Sequence, residues 1–512
     1  MNDLSKKPNN NPRQFLLPTA PVFFFFLHNI NNYKELVLSK EVLFLILIYC
    51  FFSLLLSYGL KKIAGLDSPS SVFTGTLVTI FFIFFGTIQD TLSQLKRFSL
   101  ISNSLFLLLL SIFLSVIIIV WAKKKKASFL TPVKYLTVLF FVLFIIELIQ
   151  LGINIYKGRT IASLTERMSS TVLSGKKIEH KEKPDIYHIV FDSYTNGPAL
   201  KQYWGYENEI YPFLASKGFF TIDSAFSNYA STPYSLSSVF NLQYLDGAES
   251  YLLSNSSNFY IGQKVFSNNT FFKFLKSNGY DFSLFAQVEN EKLMLSLGTL
   301  GVTSPATWLR KQTMERIYLN PAIWEKIKNF GRSSGKQPAL ITQSMESFKD
   351  YNKMALAHIF SDCRKTQGQE LEKNKPVFSF THILLPHDPY LYDENGAPVA
   401  VPEPGGMNMN GYLAQIKYCN KLIEQISNCL LSDTTRKKII IIQGDHGYRH
   451  YTNAPYSTQF GALSAVFFYN RDYHDLKKTM SHVNTYRIVA NTFFDGNLPL
   501  LNDSIVIPKQ EH

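Results

Sequence analysis

Long apolar runs separated by short polar segments dominate the first 154 residues of the chain. A transmembrane helix needs roughly 17 to 25 residues, and four runs are long enough. They are Val42 to Leu60, Ser71 to Gln89, Ser104 to Trp121 and Val133 to Asn154. A fifth run, Phe15 to Ile30, is interrupted by prolines and a histidine, so a re-entrant or interfacial segment also fits its length. The pattern predicts a membrane module over residues 1–154.

The basic residues between the runs indicate how the module is oriented, because cytoplasmic loops of membrane proteins are rich in lysine and arginine. If all five runs cross, one side carries ten basic residues and the other carries four. With four crossings the same residues divide seven against seven. Loop charge therefore favours about five spans. In both cases the KKKK loop (123–126) precedes the last crossing, so we expect the remainder of the chain to be extracytoplasmic.

An acidic residue, Glu147, lies inside the last apolar run. Ionisable groups are costly in lipid, so they serve a function or face a partner inside the protein. One glutamate near the middle of a predicted helix is compatible with both roles, and the sequence leaves both open.

Beyond the membrane module, apolar strand-like runs alternate with stretches of helical period. Residues 155–183 are polar and form a predicted linker, and residues 184–512 form a predicted extracytoplasmic domain. The strand-like runs are DIYHIVF (185–191), FFTIDSAFS (219–227), YDFSLFA (280–286), VFSFTHILL (377–385), KKIIIIQG (437–444) and LSAVFFYN (463–470). Near-continuous apolar strands alternating with helices predict an α/β fold with a largely parallel sheet buried on both faces.

Composition narrows the classes of protein that this organisation can represent. The 512 residues are 46% hydrophobic and 17% charged, which excludes a disordered or collagen-like chain. The net charge is +13, of which +8 belongs to the first 154 residues. Basic charge in membrane loops sets orientation, so we expect no nucleic-acid partner. Four cysteines are too few for a disulfide framework, and all four are predicted to be unpaired packing residues.

Polar residues follow three of the predicted strands at the point where each ends. Asp192 follows DIYHIVF, and Asp445 and His446 follow KKIIIIQG. His387 lies in the loop LLPHDPY after VFSFTHILL. Functional groups of parallel sheets collect beyond the carboxyl ends of the strands. Two carboxylates and an imidazole suit a divalent ion, and this donor set does not separate zinc from manganese.

A hydroxyl-rich segment, NYASTPYSLSSVF (228–240), supplies a candidate nucleophile. Its second half has helical spacing, which places the hydroxyls at a helix N-terminus, where free N–H groups favour phosphate or sulfate. A hydroxyl bound to a metal loses its proton more readily. Taken singly, such a segment is commonly a loop or cap, and an acid after a strand is commonly a turn residue. The combination on strand ends favours a catalytic site.

Four motifs together resemble the alkaline phosphatase and sulfatase superfamily, and within it the membrane-anchored lipoteichoic acid synthases and lipid A phosphoethanolamine transferases. They are IVFDSYT, STPYSLSSVF, HDPYLYD and GDHG. The similarity extends over roughly residues 184–470 together with the membrane anchor. The resemblance implies an alkaline-phosphatase-like, sulfatase-like domain at the outer face of a bacterial-type inner membrane.

Carried onto this chain, the resemblance also implies a set of site residues. Asp192, Thr232, Asp445 and His446 would bind one divalent ion, zinc or manganese. Thr232 would also be the nucleophile, and His387 would bind or protonate the phosphate group. His450 would be a second such histidine, although its spacing from the metal pair is shorter than in phosphoethanolamine transferases.

Two departures from the resembled families bear on the chemistry. Formylglycine sulfatases share a C-x-P-x-R signature, whereas this chain reads STPYS (231–235), without the cysteine or the arginine. Threonine cannot form an aldehyde hydrate, and the missing arginine removes a group that would hold sulfate. The first acid is Asp192, where both transferase families have glutamate.

The resemblance implies a membrane-anchored phosphotransferase. It would move a head group of the phosphoethanolamine or phosphoglycerol type from a phospholipid donor to an envelope glycan, lipid A or polymer, through a phospho-threonine intermediate. A sulfatase or phosphodiesterase acting on envelope or extracellular polysaccharide is the first alternative. A catalytically inactive glycan-binding domain is the second.

The segment from about Leu293 to Met354 is aromatic and basic and contains no chemical motif. Its composition fits an amphipathic lid near the membrane face, and it also fits an insertion packed on the extracytoplasmic domain, which we favour.

Overall fold

A computed structural model shows two compact units in the chain. It describes residues 17–32, 40–94, 103–125, 129–156, 166–168, 172–173, 175–178, 183–250, 252, 256–286, 305–319, 339–367, 375–399, 408–451 and 454–508. The helical unit comprises Met1–Ser163 and Thr303–Leu340, and the sheet unit comprises Leu164–Val302 and Ile341–His512. Most of the predicted linker, 155–183, lies outside the described residues, and the boundaries at 154 and 183 stay predictions.

Helices and strands are numbered here in chain order. The first helices are α1 (Ala20–Asn32), α2 (Lys40–Lys62), α3 (Ser68–Gln94), α4 (Ser104–Lys125) and α5 (Leu130–Tyr156). The later helices are α6 (Gly197–Trp204), α7 (Ile210–Ser216), α8 (Thr232–Asn241), α9 (Ser256–Ser267), α10 (Thr270–Ser277), α11 (Pro305–Gln312), α12 (Glu315–Leu319), α13 (Ala339–Gln367), α14 (Met409–Ser432) and α15 (Thr485–Phe494). The strands are β1 (Asp185–Phe191), β2 (Phe220–Thr221), β3 (Asp281–Phe285), β4 (Val377–Ile383), β5 (Lys438–Gly444) and β6 (Ser464–Phe468).

Four described helices, α2 to α5, are long and apolar enough to cross a membrane, by length and composition. Helix α1 has 13 residues and spans about 20 Å, which is less than the thickness of the hydrocarbon layer. Among the described residues, four helices rather than the expected five are long enough to span a membrane. The helix in the run from Phe15 to Ile30 is the one that is too short. With four spans the loop charges are balanced, so they no longer orient the protein.

The acidic residue of the last span faces another helix of the same unit. Glu147 Oε1 lies 2.7 Å from His28 Nδ1 in α1. Glu147 Oε2 accepts a hydrogen bond of 2.6 Å from Asn31 Nδ2. The sequence leaves two roles open for Glu147, and these hydrogen bonds support the second, contact with a partner helix.

Helices α11 and α12, which we call the inserted pair, belong to the helical unit although the chain before and after them belongs to the sheet unit. Leu309 is fully buried in an apolar cluster with residues of α1, α2 and α3. A Cβ at Gly86 of α3 would collide with carbonyl oxygens of α11, so glycine permits this close approach. Arg316 donates bonds of 2.8 and 2.9 Å to the carboxylate of Asp90. For these residues the expected packing on the extracytoplasmic domain is wrong.

Six strands form one sheet in the order β2-β6-β5-β1-β4-β3. Strand β1 pairs in parallel with β4 and β5, and β3 pairs in parallel with β4. Strand β6 pairs antiparallel with β5 and β2. The sheet is therefore mixed: the predicted parallel arrangement holds for β5-β1-β4-β3, and the antiparallel strands lie at one edge.

Both faces of the sheet are covered, because the central strands β1, β4 and β5 are buried along their full length. Alternate side chains of a strand point to opposite faces. Tyr187, Ile189 and Phe191 enter an apolar cluster with α13 and α14, whereas Ile186 and Val190 enter a second cluster with α8 and α15. The result is the three-layer arrangement that continuous apolar strands predict.

Two of the four cysteines are joined, so the prediction that all four are unpaired is wrong. Cys363 in α13 and Cys429 in α14 form a disulfide, with their Cα atoms 6.1 Å apart. Cys50 and Cys419 are free. The two bonded residues are 66 positions apart in sequence and meet only because α13 and α14 lie on the same face of the sheet.

Candidate metal and nucleophile site

The central strands end at one level, and this places three loops side by side. Phe191 of β1 is in register with Ile383 of β4 and with Gly444 of β5. Asp192, the residue after β1, donates its N–H to the carbonyl of Ile383 at 2.9 Å. The loops that carry the predicted site residues therefore share the carboxyl edge of the parallel strands.

The GDHG motif after β5 is held by close contacts of its two glycines. A Cβ at Gly444 or Gly447 would collide with a carbonyl oxygen of a neighbouring loop. Between them, Asp445 and His446 are fully buried. Packing space thus explains both glycines, because a side chain at either position would displace the acid and the imidazole.

The His446 ring presents one nitrogen to the centre of the site. Its Nδ1 lies 2.8 Å from the carbonyl of Gly447, so this nitrogen carries the proton and donates it. Its Nε2 then faces three oxygens: Asp445 Oδ2 at 3.4 Å, Asp192 Oδ1 at 3.6 Å and Thr232 Oγ1 at 3.4 Å. Burial lowers the pKa of His446, which keeps the ring neutral. A neutral imidazole whose other N–H is bound to a carbonyl is the form that binds metals.

Two carboxylate oxygens in the site have no hydrogen-bond partner among the described residues: Asp445 Oδ2 and Asp192 Oδ1. The other oxygen of Asp445 accepts backbone N–H bonds of 2.9 Å from Ser193 and His446. Ser193 has a φ of 63°, a left-handed conformation that is uncommon outside glycine. Buried carboxylate oxygens without partners are costly, so these two suit a bound cation.

Asp192 is ionised within this group. Burial raises the pKa of its carboxyl, but nearby His387 and His382 lower it by more, so the pKa lies well below its usual range. Asp192, Asp445 and His446 each offer a ligand atom, and these atoms all lie within 4.8 Å of one another. Carboxylate oxygen and imidazole nitrogen are ligands of zinc and of manganese, so the residues fit a divalent ion.

Thr232 reaches this group from the start of α8. It is the first residue of that helix, with Ser231 in the cap position, and it is 6% exposed. The N–H of Ser235 bonds to the carbonyl of Ser231 at 2.9 Å, which begins the helix. The hydroxyl of Ser235 donates to the carbonyl of Asp445 and so joins the helix to the GDHG loop. The Thr232 hydroxyl therefore lies both at a helix N-terminus and beside the metal-binding group.

The two histidines predicted to hold phosphate are not members of the metal-binding group. His387 Nδ1 donates to the carbonyl of Asp388 at 2.6 Å, and its Nε2 accepts an N–H from Arg449 at 2.8 Å. His450 Nε2 lies 3.3 Å from Asp388 Oδ1. Burial raises the pKa of Asp388, but His450 and His387 lower it by more, to about 2. Asp388 is thus a carboxylate between two imidazoles, and the roles of both histidines stay predictions.

Two residues near the site have no place in the sequence-based prediction. His382 of β4 is fully buried, and its Nε2 lies 3.3 Å from Asp192 Oδ2. A histidine inside an apolar strand looks like a core residue in sequence, as His188 of β1 does, so no signal separates the two. Arg449 carries a signal, because it follows His446 by three residues in the loop GDHGYRH.

A comparison with family models gives one match, described as sulfatase, over residues 184–489. This range is more than half of the chain and contains every predicted site residue. No match was found among curated proteins.

Solved structures to which this chain is similar include three domains or proteins with low sequence identity. The periplasmic domain of phosphoethanolamine transferase EptC from Campylobacter jejuni is 14% identical, with a TM-score of 0.36, over 64% of this chain and 99% of that chain. The periplasmic domain of EptC from Escherichia coli, in complex with zinc, is 13% identical, with a TM-score of 0.35, over 65% and 89%. The membrane protein lipooligosaccharide phosphoethanolamine transferase A from Neisseria meningitidis is 12% identical, with a TM-score of 0.37, over 94% of each chain. Scores this low carry no argument about function.

Proposed function

Because this chain belongs to the sulfatase family, we propose that it is a metal-dependent phosphotransferase of the alkaline phosphatase superfamily. It moves a phosphoethanolamine-type or phosphoglycerol-type head group from a phospholipid to an envelope glycan or lipid. The observation that carries the proposal is the convergence of one hydroxyl, two carboxylates and one imidazole. These are Thr232 Oγ1, Asp192 Oδ1, Asp445 Oδ2 and His446 Nε2.

Thr232 Oγ1 is the nucleophile of the first step. The bond from Oγ1 to phosphorus forms while the bond from phosphorus to the lipid alcohol breaks, and the hydroxyl proton ends on the released alcohol. Asp192, Asp445 and His446 would hold a divalent ion, which would supply Lewis acidity at this site. The N-terminal end of α8 adds a favourable field for the negative phosphoryl oxygens.

A hydroxyl of the acceptor attacks phosphorus in the second step, and its proton returns to Thr232 Oγ1. The net reaction exchanges one alcohol for another on the same phosphorus. His450 is half-buried, and its Nε2 lies 3.3 Å from the Asp388 carboxylate, a contact that orients the imidazole. We assign proton transfer to His450 on this basis.

The helical unit gives the reaction access to lipid. Large apolar side chains on α4 and α5 are exposed, including Phe113 at 60% and Phe141 at 64%. Exposed apolar surface of this extent on long helices suits a lipid environment. A catalytic domain on the same chain meets membrane lipids at high effective concentration.

The disulfide supports an extracytoplasmic sheet unit. Cys363 and Cys429 are bonded to each other, and such bonds persist in the periplasm or outside the cell but are rare in the cytosol. The loop charges are balanced when four helices span the membrane, so they do not support either orientation. The disulfide is therefore the support for an extracytoplasmic sheet unit.

The proposal is tested with the full chain in lipid nanodiscs that contain a fluorescent phospholipid and a glycolipid acceptor. We expect fluorescent diglyceride to accumulate with acceptor present, and the tryptic peptide spanning Thr232 to carry an adduct with the mass of the phosphorylated head group, phosphoethanolamine or phosphoglycerol. The Thr232→Ala variant should lose at least about 1,000-fold in turnover, because the covalent route is removed.

Thr270→Ala is the matched control, because Thr270 is also the first residue of a buried helix start, that of α10, outside the site. It should turn over like the unsubstituted protein. Normal turnover by Thr232→Ala would end the assignment of the nucleophile. Diglyceride that accumulates equally without acceptor would instead identify a hydrolase, in which water takes the place of the acceptor alcohol.

A further inference from the structure

Arg449 lies between the candidate nucleophile segment and the histidine loop. It is half-buried in the loop after β5, three residues beyond His446. One terminal nitrogen of its guanidinium donates to His387 Nε2 at 2.8 Å. The other donates to the carbonyl of Ala230 at 3.4 Å, and Ala230 is two residues before Thr232. The guanidinium therefore faces the start of the nucleophile turn.

Arg449 lies near enough to Asp388 to lower the pKa of its carboxyl, but the two groups form no ion pair. Among the described residues no carboxylate forms an ion pair with it, whereas Arg316 and Arg436 each bind an aspartate. The acid nearest in the loops, Asp388, directs Oδ1 to His387 and His450 instead. A half-buried guanidinium without a carboxylate partner favours a bound anion.

The guanidinium of Arg449 also has N–H groups that these two contacts do not use. Its five N–H groups form a planar fork, and the contacts with His387 and Ala230 use two of them. His387 accepts this bond through Nε2 because its Nδ1 proton is donated to the carbonyl of Asp388. The ring thus fixes one edge of the guanidinium and leaves the remaining N–H groups for a ligand.

From these contacts we infer that Arg449 binds the tetrahedral oxyanion of the ester that Thr232 attacks, through two N–H groups of its fork. A planar fork matches two oxygens of a phosphate or a sulfate group, which a lysine ammonium does not. The STPYS segment lacks the arginine of the sulfatase signature. Arg449 supplies a guanidinium from a different part of the chain, the loop after β5. The inference rests on the proposed function only for the identity of the attacking residue.

The test measures anion binding rather than turnover. The full chain with its metal, in detergent, is titrated with inorganic phosphate and separately with inorganic sulfate, and binding is followed by calorimetry. We expect Arg449→Met to weaken the anion that the unsubstituted protein binds by at least about 10-fold, because a hydrogen bond to a charged group is removed. Arg449→Lys should fall between the two, since it keeps the charge and loses the fork. The anion that binds more tightly identifies the ester class.

Arg471→Met is the matched control, because Arg471 is exposed after β6, where its guanidinium donates to the carbonyl of Gly218 and lies over the ring of Phe467. It should bind anions like the unsubstituted protein, and melting curves should show that all three variants are folded. An unchanged dissociation constant in Arg449→Met, or no binding of either anion by the unsubstituted protein, would overturn the inference.

The outcomes separate this inference from the proposed function. Weaker phosphate binding by Arg449→Met in a protein that shows no phosphoryl transfer leaves the inference standing and removes the proposed function. Phosphoryl transfer by the unsubstituted protein, together with unchanged binding by Arg449→Met, does the reverse.

Discussion

The two carboxylate oxygens of Asp192 have different neighbours. Asp192 Oδ2 lies beside His382 Nε2, and Asp192 Oδ1 faces His446. Both ring nitrogens of His382 lack a hydrogen-bond partner among the described residues, although the side chain is fully buried. A short movement would let His382 donate to Asp192 and fix which oxygen faces the metal. Such neighbours of metal ligands orient the ligand and raise affinity.

We therefore predict that His382→Phe lowers the affinity for zinc by about 10- to 100-fold. Affinity is measured by competition with a chromophoric chelator, and zinc content is measured after dialysis. His188→Phe is the control, because His188 is equally buried in the adjacent strand but bonds to Tyr486, away from the metal-binding group. Equal zinc affinity in the two variants would show that His382 is only a packing residue.

Residues on strand ends could be predicted from the sequence, and residues inside strands could not. Asp192 and the GDHG pair follow apolar runs, so the rule for parallel sheets selects them directly. His382 and His188 share one pattern, since both are histidines in buried strands, and only the pairing of β1 with β4 shows which lies near the acid. Arg449 has the right position in the chain, but its bond to His387 joins loops 62 residues apart.

Elements differ in how far sequence alone specifies them. The runs that become β1, β4, β5 and β6 are all apolar, so each is correctly predicted as a buried strand. An apolar run contains no information on the direction of a strand, so nothing in the sequence of β6 indicates that it runs antiparallel to β5. The inserted pair is the element that the sequence specifies least, because α11 buries Leu309 against α2 and α3, which precede it by more than 200 residues.

The bond between Arg316 and Asp90 offers a test at this scale. Arg316 also donates to the carbonyl of Gly86 and to the side chain of Gln89, so several bonds depend on one guanidinium. We predict that Arg316→Ala lowers the free energy of opening of the inserted pair by about 1 to 2 kcal/mol, measured by hydrogen exchange of residues 305–319.

The control is Arg310→Ala. Arg310 forms an ion pair with Glu315, which lies within the inserted pair itself. This variant therefore leaves the bond from Arg316 to Asp90 of α3 intact. Faster exchange after Arg310→Ala together with unchanged exchange after Arg316→Ala would mean that the pair is held by its own contacts rather than by the contact of Arg316 with α3.

At the scale of the whole molecule, the oxidation state of the cysteines reports the compartment in which the sheet unit lies. In the described structure Cys363 and Cys429 are bonded, and Cys50 and Cys419 are free. We predict that alkylation of the denatured, unreduced protein from membranes labels two cysteines, and that reduction beforehand raises the number to four. Peptide mass spectrometry identifies them. Four labelled cysteines without reduction would place the sheet unit in a reducing compartment and contradict the proposed orientation.

The path of the chain through the inserted pair has a practical effect on dissection of the protein. Cutting after residue 163 would discard α1 to α5 but keep Leu309 and Trp308, whose packing partners lie in the discarded helices. Such a fragment would expose an apolar surface on α11 to water and would tend to self-associate or precipitate. Deleting residues 303–340 as well should restore a well-behaved soluble enzyme core, since that portion belongs with the helices that were removed.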